Sequence, residues 1–364
     1  MQGHSSIIGL LLLGLDCALA SWALVRVVMR WSLARKIMDV PNERSSHMLP
    51  TPRGGGLAVV VVTLFAAAVL ALAPTLLTIE PTPEPRVMWG LLAAALLIAG
   101  VSLADDMTKG LSPSLRFAVH ASAAMVAIYA CGYWRSLELP WLGRVEVGWL
   151  GLPLTLLWIV GVVNFFNFMD GIDGLAGVQA LAGAAGWAAW AFVAGDRLVV
   201  ALAVALMGAT LGFLRHNWPP AKIFLGDVGS AFLGFGFAAI PLLAARGQER
   251  PVAERLPLAG ALMIAPFVID ATFTLLRRLV RGERITEAHR SHLYQRLVIT
   301  GLSHGRVALA YLGLGLAGAA AGVYFLRAPG RGAAGLAALA AIAAIGLVPW
   351  AWAVSRERRA REGH

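Results

Sequence analysis

The chain has 364 residues, of which 59% are hydrophobic and 14% charged, with a formal net charge of +10. An ordinary soluble domain carries roughly 25% charged residues, so this composition excludes a soluble globule and points to a polytopic membrane protein. The excess of basic residues is then read as a topology signal, with no nucleic-acid partner expected.

A bilayer core about 30 Å thick needs roughly 20 mostly apolar residues per crossing helix. In chain order, apolar runs fall near residues 7–29, 56–79, 87–104, 116–132, 150–166, 175–194, 197–214, 228–245, 256–276, 305–326 and 332–354. The expected fold is therefore an all-α polytopic membrane protein of about eleven (10–11) transmembrane helices, forming one membrane-embedded domain over residues 1–364. The sixth and seventh runs are separated only by Gly195, Asp196 and Arg197, so the count depends on a turn there. The first run is longer than a signal-peptide core and is read as a retained helix. Cys17 and Cys131 fall in or beside runs without paired spacing, which implies packing residues rather than a disulfide or metal site.

Loops after odd-numbered runs, together with the C-terminal tail and with Arg116 and Arg306 at the edges of the following runs, hold 20 of the 30 Lys and Arg residues. The positive-inside rule makes those loops cytoplasmic, the N-terminus periplasmic and the C-terminus cytoplasmic. These same loops carry the polar motifs, at about residues 30–55, 105–115, 165–175, 215–228 and 277–304. They read DVPNERSSHMLPTPRGGG from Asp39, ADDMTKG from Ala104, NFFNFMDGIDGLAG from Asn164, RHNWPPAKIFLGDVGS from Arg215 and RITEAHRSHLYQRL from Arg284. If the count holds, all five face one compartment.

Asp, Asn, Gly and Pro are common turn formers, and any one of these motifs alone would be an ordinary cap or loop. Depth and number argue otherwise. Asp105, Asp106, Asp170, Asp173 and Asp227 all lie beside apolar runs, where a carboxylate at mid-membrane would cost ~2.5–3.5 kcal/mol unless neutralised. Five such groups imply a compensating cation. Oxygen ligands without a Cys or His cluster select Mg²⁺, with Mn²⁺ as the alternative. Arg44, Arg53, Lys109, Lys222, His289, Arg290 and His292 share the compartment and suit a phosphate ligand. Gly54, Gly55 and Gly56 open a helix whose N–H groups can also face an anion. Arg277, Arg278 and Arg281 read as anchors at the membrane surface, and Asp16 and Asp270 as polar packing residues, Asp270 being the better functional candidate.

Taken together, PNERSSH, PTPRGGG, LADD, NFFNFMDGIDGLAG, FLGDVGS and HRSHLYQRL resemble the polyprenyl-phosphate N-acetylhexosamine-1-phosphate transferase family, in the family's order over residues 39–297. The resemblance implies a multi-pass inner-membrane enzyme with its active site on the cytoplasmic face. It would transfer a sugar 1-phosphate from a UDP-N-acetylhexosamine to undecaprenyl phosphate, releasing UMP, and leaves room for a homodimer. It further implies that Asp227 is a Mg²⁺ ligand and that Asp105 and Asp106 form a catalytic pair, Asp105 handling the attacking phosphate and Asp106 assisting the metal. Asp170 would be catalytic. Arg44, Ser46, Arg53, Lys109, Asn164, Asn167, Asp173, Lys222, His289, Arg290 and His292 would bind substrate. The sequence HRSH, in place of a run of adjacent histidines, moves the reading toward the O-antigen-initiating branch that handles GlcNAc, FucNAc or QuiNAc. Two alternatives stand beside it: the phospho-N-acetylmuramoyl-pentapeptide transferase of peptidoglycan synthesis, and a membrane transporter.

Overall fold

The computed structural model describes residues 2–41, 49–77, 79–80, 82–108, 110–140, 142–283, 289–328 and 331–362. Each of the eleven apolar runs is helical. In chain order the helices are α1 (Gln2–Arg35), α2 (Gly56–Leu72), α3 (Pro85–Met107), α4 (Pro113–Cys131), α5 (Gly151–Met169), α6 (Leu175–Ala194), α7 (Arg197–Asn217) and α8 (Gly226–Ala245). There follow α9 (Arg250–Ala253), α10 (Leu256–Met263), α11 (Ala265–Val280), α12 (Leu293–Ile299), α13 (His304–Arg327) and α14 (Arg331–Glu362). Among the described residues the only strands form two small antiparallel ribbons. One, β1 (Met38–Asp39) with β2 (Thr51–Pro52), closes the loop after α1; the other, β3 (Ser136–Leu139) with β4 (Gly143–Glu146), joins α4 to α5. The protein is thus an all-α, multi-pass membrane protein.

Nine of these helices are long and apolar enough to cross a membrane, among the described residues. The other two runs depart from simple spans, each for a local reason. The second run is α2, whose 17 residues reach about 26 Å at 1.5 Å per residue, just short of the hydrocarbon thickness. The ninth run is broken: α10 and α11 bend by 76° at Ile264. Ile264 leaves helical geometry, and Pro266 in the first turn of α11 removes a backbone donor. A broken helix in a membrane must satisfy the freed backbone groups internally. Gln179 of α6 does so here, donating to the Met263 carbonyl at 3.2 Å.

The turn between α6 and α7 is real. Gly195 ends α6 in left-handed geometry at φ 76°. Asp196 then caps α7 by accepting from the Val199 N–H at 3.0 Å, a contact worth ~1 kcal/mol.

Close packing comes from small residues, as expected where lipid is as apolar as the protein interior. Along α7, Gly208 and Gly212 form a GxxxG stripe against α1. An added methyl would lie 2.3 Å from the Gly14 carbonyl at the first and 2.2 Å from the Ala18 carbonyl at the second. The central element is α8, buried along nearly its whole length. Beneath the site, Phe166 of α5 stacks on Phe237 of α8, 5.4 Å between centroids, and meets Phe267 of α11 edge-on at 4.9 Å. Cys17 and Cys131 are buried free thiols, in keeping with packing roles, whereas Asp16 is exposed on α1 rather than packed.

Candidate active site

The C-terminus of α3, the N-termini of α4 and α8, and the Arg53 segment meet at one end of the bundle. Asp106, at the end of α3, faces the start of α8. Its Oδ1 accepts from the Asp227 N–H and its Oδ2 from the Val228 N–H, both at 3.0 Å. A carboxylate there satisfies two of the donors that a helix N-terminus leaves open and complements its dipole. Arg53 adds a third donor, its Nη2 lying 2.5 Å from Asp106 Oδ1 and 3.3 Å from Asp227 Oδ1. Asp106 thereby holds α8 in place, a positioning part that the LADD motif alone does not reveal.

Asp105 and Asp227 are joined by Arg116, whose Nη1 donates to both at 2.9 and 3.0 Å. The Leu111 N–H also donates to Asp105. Arg116 was not among the residues singled out from the sequence, because it reads as the first residue of an apolar run. The signal was there: Ser112 caps the Leu115 N–H and Pro113 occupies the first helical turn, which fixes Arg116 on the turn of α4 nearest the ADD segment. Arg53 is likewise tuned by its surroundings. Burial opposes its charge, but Asp106 and Asp227 outweigh that and raise the guanidinium above its ordinary value.

Asp170 ends α5 as its C-cap. Burial, reinforced by Asp227 and Asp106, pushes its carboxyl well above the usual carboxylate range. Asn167, one turn earlier, donates to Ser230 Oγ at 3.3 Å, which ties α5 to the first turn of α8. Asn164 folds its amide back onto the Val160 carbonyl of its own helix at 2.7 Å. Asp173 accepts from the Ala221 N–H at 3.1 Å, and its own N–H donates to His304 Nδ1 at 3.4 Å. The next residue, Gly174, donates to Asn217 Oδ1 at 2.9 Å. The DGIDG turn is thus pinned to the α7–α8 loop and to α13, and His304 is a second residue missed in the sequence. Lys222 stands exposed on the α7–α8 loop. Arg44, Ser46 and Lys109 lie outside the described residues.

The HRSH segment lies against the end of α5. His292 is buried, its ring 6.5 Å from that of Phe168 and 5.0 Å from that of His289. Burial and the neighbouring His292 and Arg278 bring His289 down to about 4, so it is neutral near pH 7. Arg290 is half-buried beside it.

Two expectations need correction. Two of the three glycines do not offer their N–H groups to an anion: Gly55 donates to the Phe224 carbonyl at 2.9 Å and Gly56 to that of Leu225 at 2.8 Å. Instead Gly56 permits α2 to touch α8, since a methyl there would stand 2.3 Å from Gly229 Cα. Nor are all the arginines closing α11 surface anchors. Arg278 is 6% exposed and pairs with Glu283 at 2.9 Å, while Arg277 donates to the Ser291 carbonyl at 3.0 Å and so holds the HRSH segment.

Charge is out of balance in this cluster. Asp105, Asp106, Asp170 and Asp227 face Arg53 and Arg116 within one electrostatic neighbourhood. The donor set is oxygen only, which suits a hard divalent cation. Among the described residues no three His, Cys, Asp or Glu side chains form a ready-made cage. Mg²⁺ can be held by one or two carboxylates, with water and substrate phosphate completing its shell.

Comparison with known proteins accords with this geometry. A family model described as glycosyl transferase family 4 matches residues 88–245. A probable undecaprenyl-phosphate N-acetylglucosaminyl 1-phosphate transferase of Bacillus subtilis is 32% identical, over 76% of this chain and 74% of its own. A decaprenyl-phosphate N-acetylglucosaminephosphotransferase of Mycobacterium leprae is 32% identical over 87% of this chain and 84% of its own. A phospho-N-acetylmuramoyl-pentapeptide-transferase of a Synechococcus strain is also 32% identical, over 82% and 86%. The chain belongs to glycosyl transferase family 4, the polyprenyl-phosphate N-acetylhexosamine-1-phosphate transferases.

Proposed function

We propose that this enzyme transfers an N-acetylhexosamine 1-phosphate, of the GlcNAc type, from its UDP-sugar to undecaprenyl phosphate at the cytoplasmic face of the bacterial inner membrane. Such a step begins a cell-surface polysaccharide such as O-antigen. The observation that carries the reading is the carboxylate-rich cluster of Asp105, Asp106, Asp170 and Asp227, at one end of a membrane bundle and beside the HRSH segment. A lipid phosphate arrives there from the bilayer and a nucleotide from water.

The reaction exchanges one phosphoanhydride for another. An oxygen of the lipid phosphate bonds to the β-phosphorus of the UDP-sugar, the bond from that phosphorus to the bridging oxygen breaks, and the electron pair leaves with UMP. A phosphate monoester is largely ionised near neutral pH, so Asp105 serves to position the nucleophile more than to deprotonate it. Arg53 and Arg116 orient the carboxylates and meet the charge that spreads over the transferring group. Lys222 offers a mobile point charge to the nucleotide phosphates. Asp227, joined to Asp105 by Arg116, is the residue that would hold Mg²⁺ or Mn²⁺, while Asp106 is largely engaged with α8. Bound there, the cation neutralises charge on the diphosphate.

The pentapeptide-transferase reading is less favoured, because the larger set of relatives at the head of the comparison acts on N-acetylglucosamine and the basic segment reads HRSH. The test is a panel of UDP-sugars supplied to membranes with undecaprenyl phosphate and Mg²⁺. UDP-GlcNAc or another UDP-N-acetylhexosamine should yield a lipid-linked product and equimolar UMP. Consumption of none of them by folded protein would end this reading.

A further inference from the structure

Asp270 was read from the sequence as a packing residue, and its surroundings give it a more specific part. It is 1% exposed on α11. Its Oδ1 accepts from the Leu293 N–H at 2.9 Å and from Thr274 Oγ at 3.2 Å, and lies 3.2 Å from His292 Nδ1. Its Oδ2 accepts from Tyr311 Oη at 2.7 Å and from the Tyr294 N–H at 3.2 Å. An ionised carboxylate only accepts, and the four other partners are all donors, so the hydrogen of the His292–Asp270 contact belongs on Nδ1.

That assignment leaves Nε2, on the ring edge away from Asp270, as the acceptor of the ring, while the His292 side chain also faces the start of α12 in a capping box with Gln295. The ring is also fixed in orientation. It stacks on Tyr294 at 5.8 Å and packs beside His289 and Phe168. Tyr294 in turn donates to the Phe168 carbonyl at 3.1 Å, and its hydroxyl comes so near Gly171 that a methyl there would stand 2.1 Å away. Asp270 therefore governs, through His292 and Tyr294, how the HRSH segment sits on the Asn167–Asp173 turn.

We propose that Asp270 is a positioning residue for the transfer, fixing His292 as the Nδ1–H form so that Nε2 is presented as an acceptor to a hydroxyl of the UDP-sugar. The proposal rests on the reading that the HRSH segment contacts the nucleotide-sugar. Its rival is a merely architectural Asp270 that caps α12 and does nothing through the histidine. Outer partners that fix a histidine's tautomer typically matter by 10- to 100-fold when the histidine is a metal ligand, and a similar size is expected here.

The test uses the full-length protein in detergent. In ¹⁵N-histidine NMR, with His292 assigned by loss of its signal in His292→Gln, the wild type should show hydrogen on Nδ1. A bare Nδ1 with hydrogen on Nε2 would overturn the proposal without any variant at Asp270 having to fold. In kinetics, Asp270→Asn should lower kcat/KM for the UDP-sugar by about 10- to 100-fold. In the His292→Gln background the same change should add less than about threefold, because both act through one group. Losses that multiply would overturn it, as would an equal loss in Tyr311→Phe, which removes a donor from the same carboxylate but leaves His292 in place. Failure of the wild type to transfer any sugar phosphate would instead sink the functional reading, and the NMR result would still decide the tautomer.

Discussion

Two sets of buried charges occupy opposite ends of α4 and α5, and they are built on different principles. At the hairpin end, Glu138 pairs with Arg255 at 3.0 Å and Glu254 with Arg144 at 3.0 Å. Arg255 also donates to the carbonyls of Phe325 and Ala328, and Ser136 to Glu254 at 2.7 Å. There each buried acid has its base. At the other end, Asp105, Asp106, Asp170 and Asp227 share Arg53 and Arg116. A balanced network fastens a structure; in the proposed reading the unbalanced one is completed by the cation and substrates that arrive. The same amino-acid types would then serve as a lock in one place and a receptor in the other.

Substitutions can break this contrast. The largest effect is expected for Asp227→Asn, which should lower transfer about 10³-fold, or ~4 kcal/mol in barrier, as when one essential electrostatic group is lost. Because the change removes surplus negative charge while Arg53 and Arg116 keep Asp106 and Asp105, its thermal midpoint should rise, in the pattern of activity traded against stability. A fall in both activity and midpoint would make Asp227 a structural residue. The mirror experiment is Glu138→Gln, which leaves Arg255 short of its partner and should cost roughly 3 kcal/mol of stability. Transfer per folded molecule should stay at the wild-type level; a loss of turnover without loss of stability would erase the distinction between the two ends.

How much of this was legible beforehand varied with the kind of contact. The helices were readable because a bilayer imposes length and apolarity on every crossing segment, and even the doubtful turn at Gly195–Arg197 carried its own left-handed cap and N-cap. The acidic motifs were readable because carboxylates at the edge of an apolar run are costly. Arg116 was not, since an arginine opening an apolar run looks like a membrane-edge anchor until α3 and α4 are set side by side. The role of Asp270 was hidden for a similar reason: its five partners come from α11, α13, and α12 with the HRSH segment before it. The glycines at 54–56 misled because a glycine run at a helix start fits either an anion or a close helix neighbour, and only the nearness of Gly229 decides.

Smaller effects sharpen the account. Arg116→Lys keeps the charge but replaces a planar fork with a point charge, which cannot hold Asp105 and Asp227 together as well. A loss of about tenfold in kcat is expected, ~1.4 kcal/mol, and full activity would show that charge alone suffices. The smallest expected effect concerns His289. In the unfolded chain this histidine takes up its proton near 6.5, in the folded protein near about 4, so stability is lost as pH falls through that interval. His289→Gln should flatten that part of the stability profile measured by thermal melting, and an unaltered slope would assign it to other groups.

The central claim is that the acidic end of the bundle works with a divalent cation on a polyprenyl phosphate and a UDP-sugar. The most direct measurement is UMP release from UDP-GlcNAc by purified enzyme and undecaprenyl phosphate, after chelation and then with Mg²⁺ or Mn²⁺ restored. Release should stop on chelation and return in full with either ion, in step with lipid-linked product. Undiminished release after chelation would contradict the account.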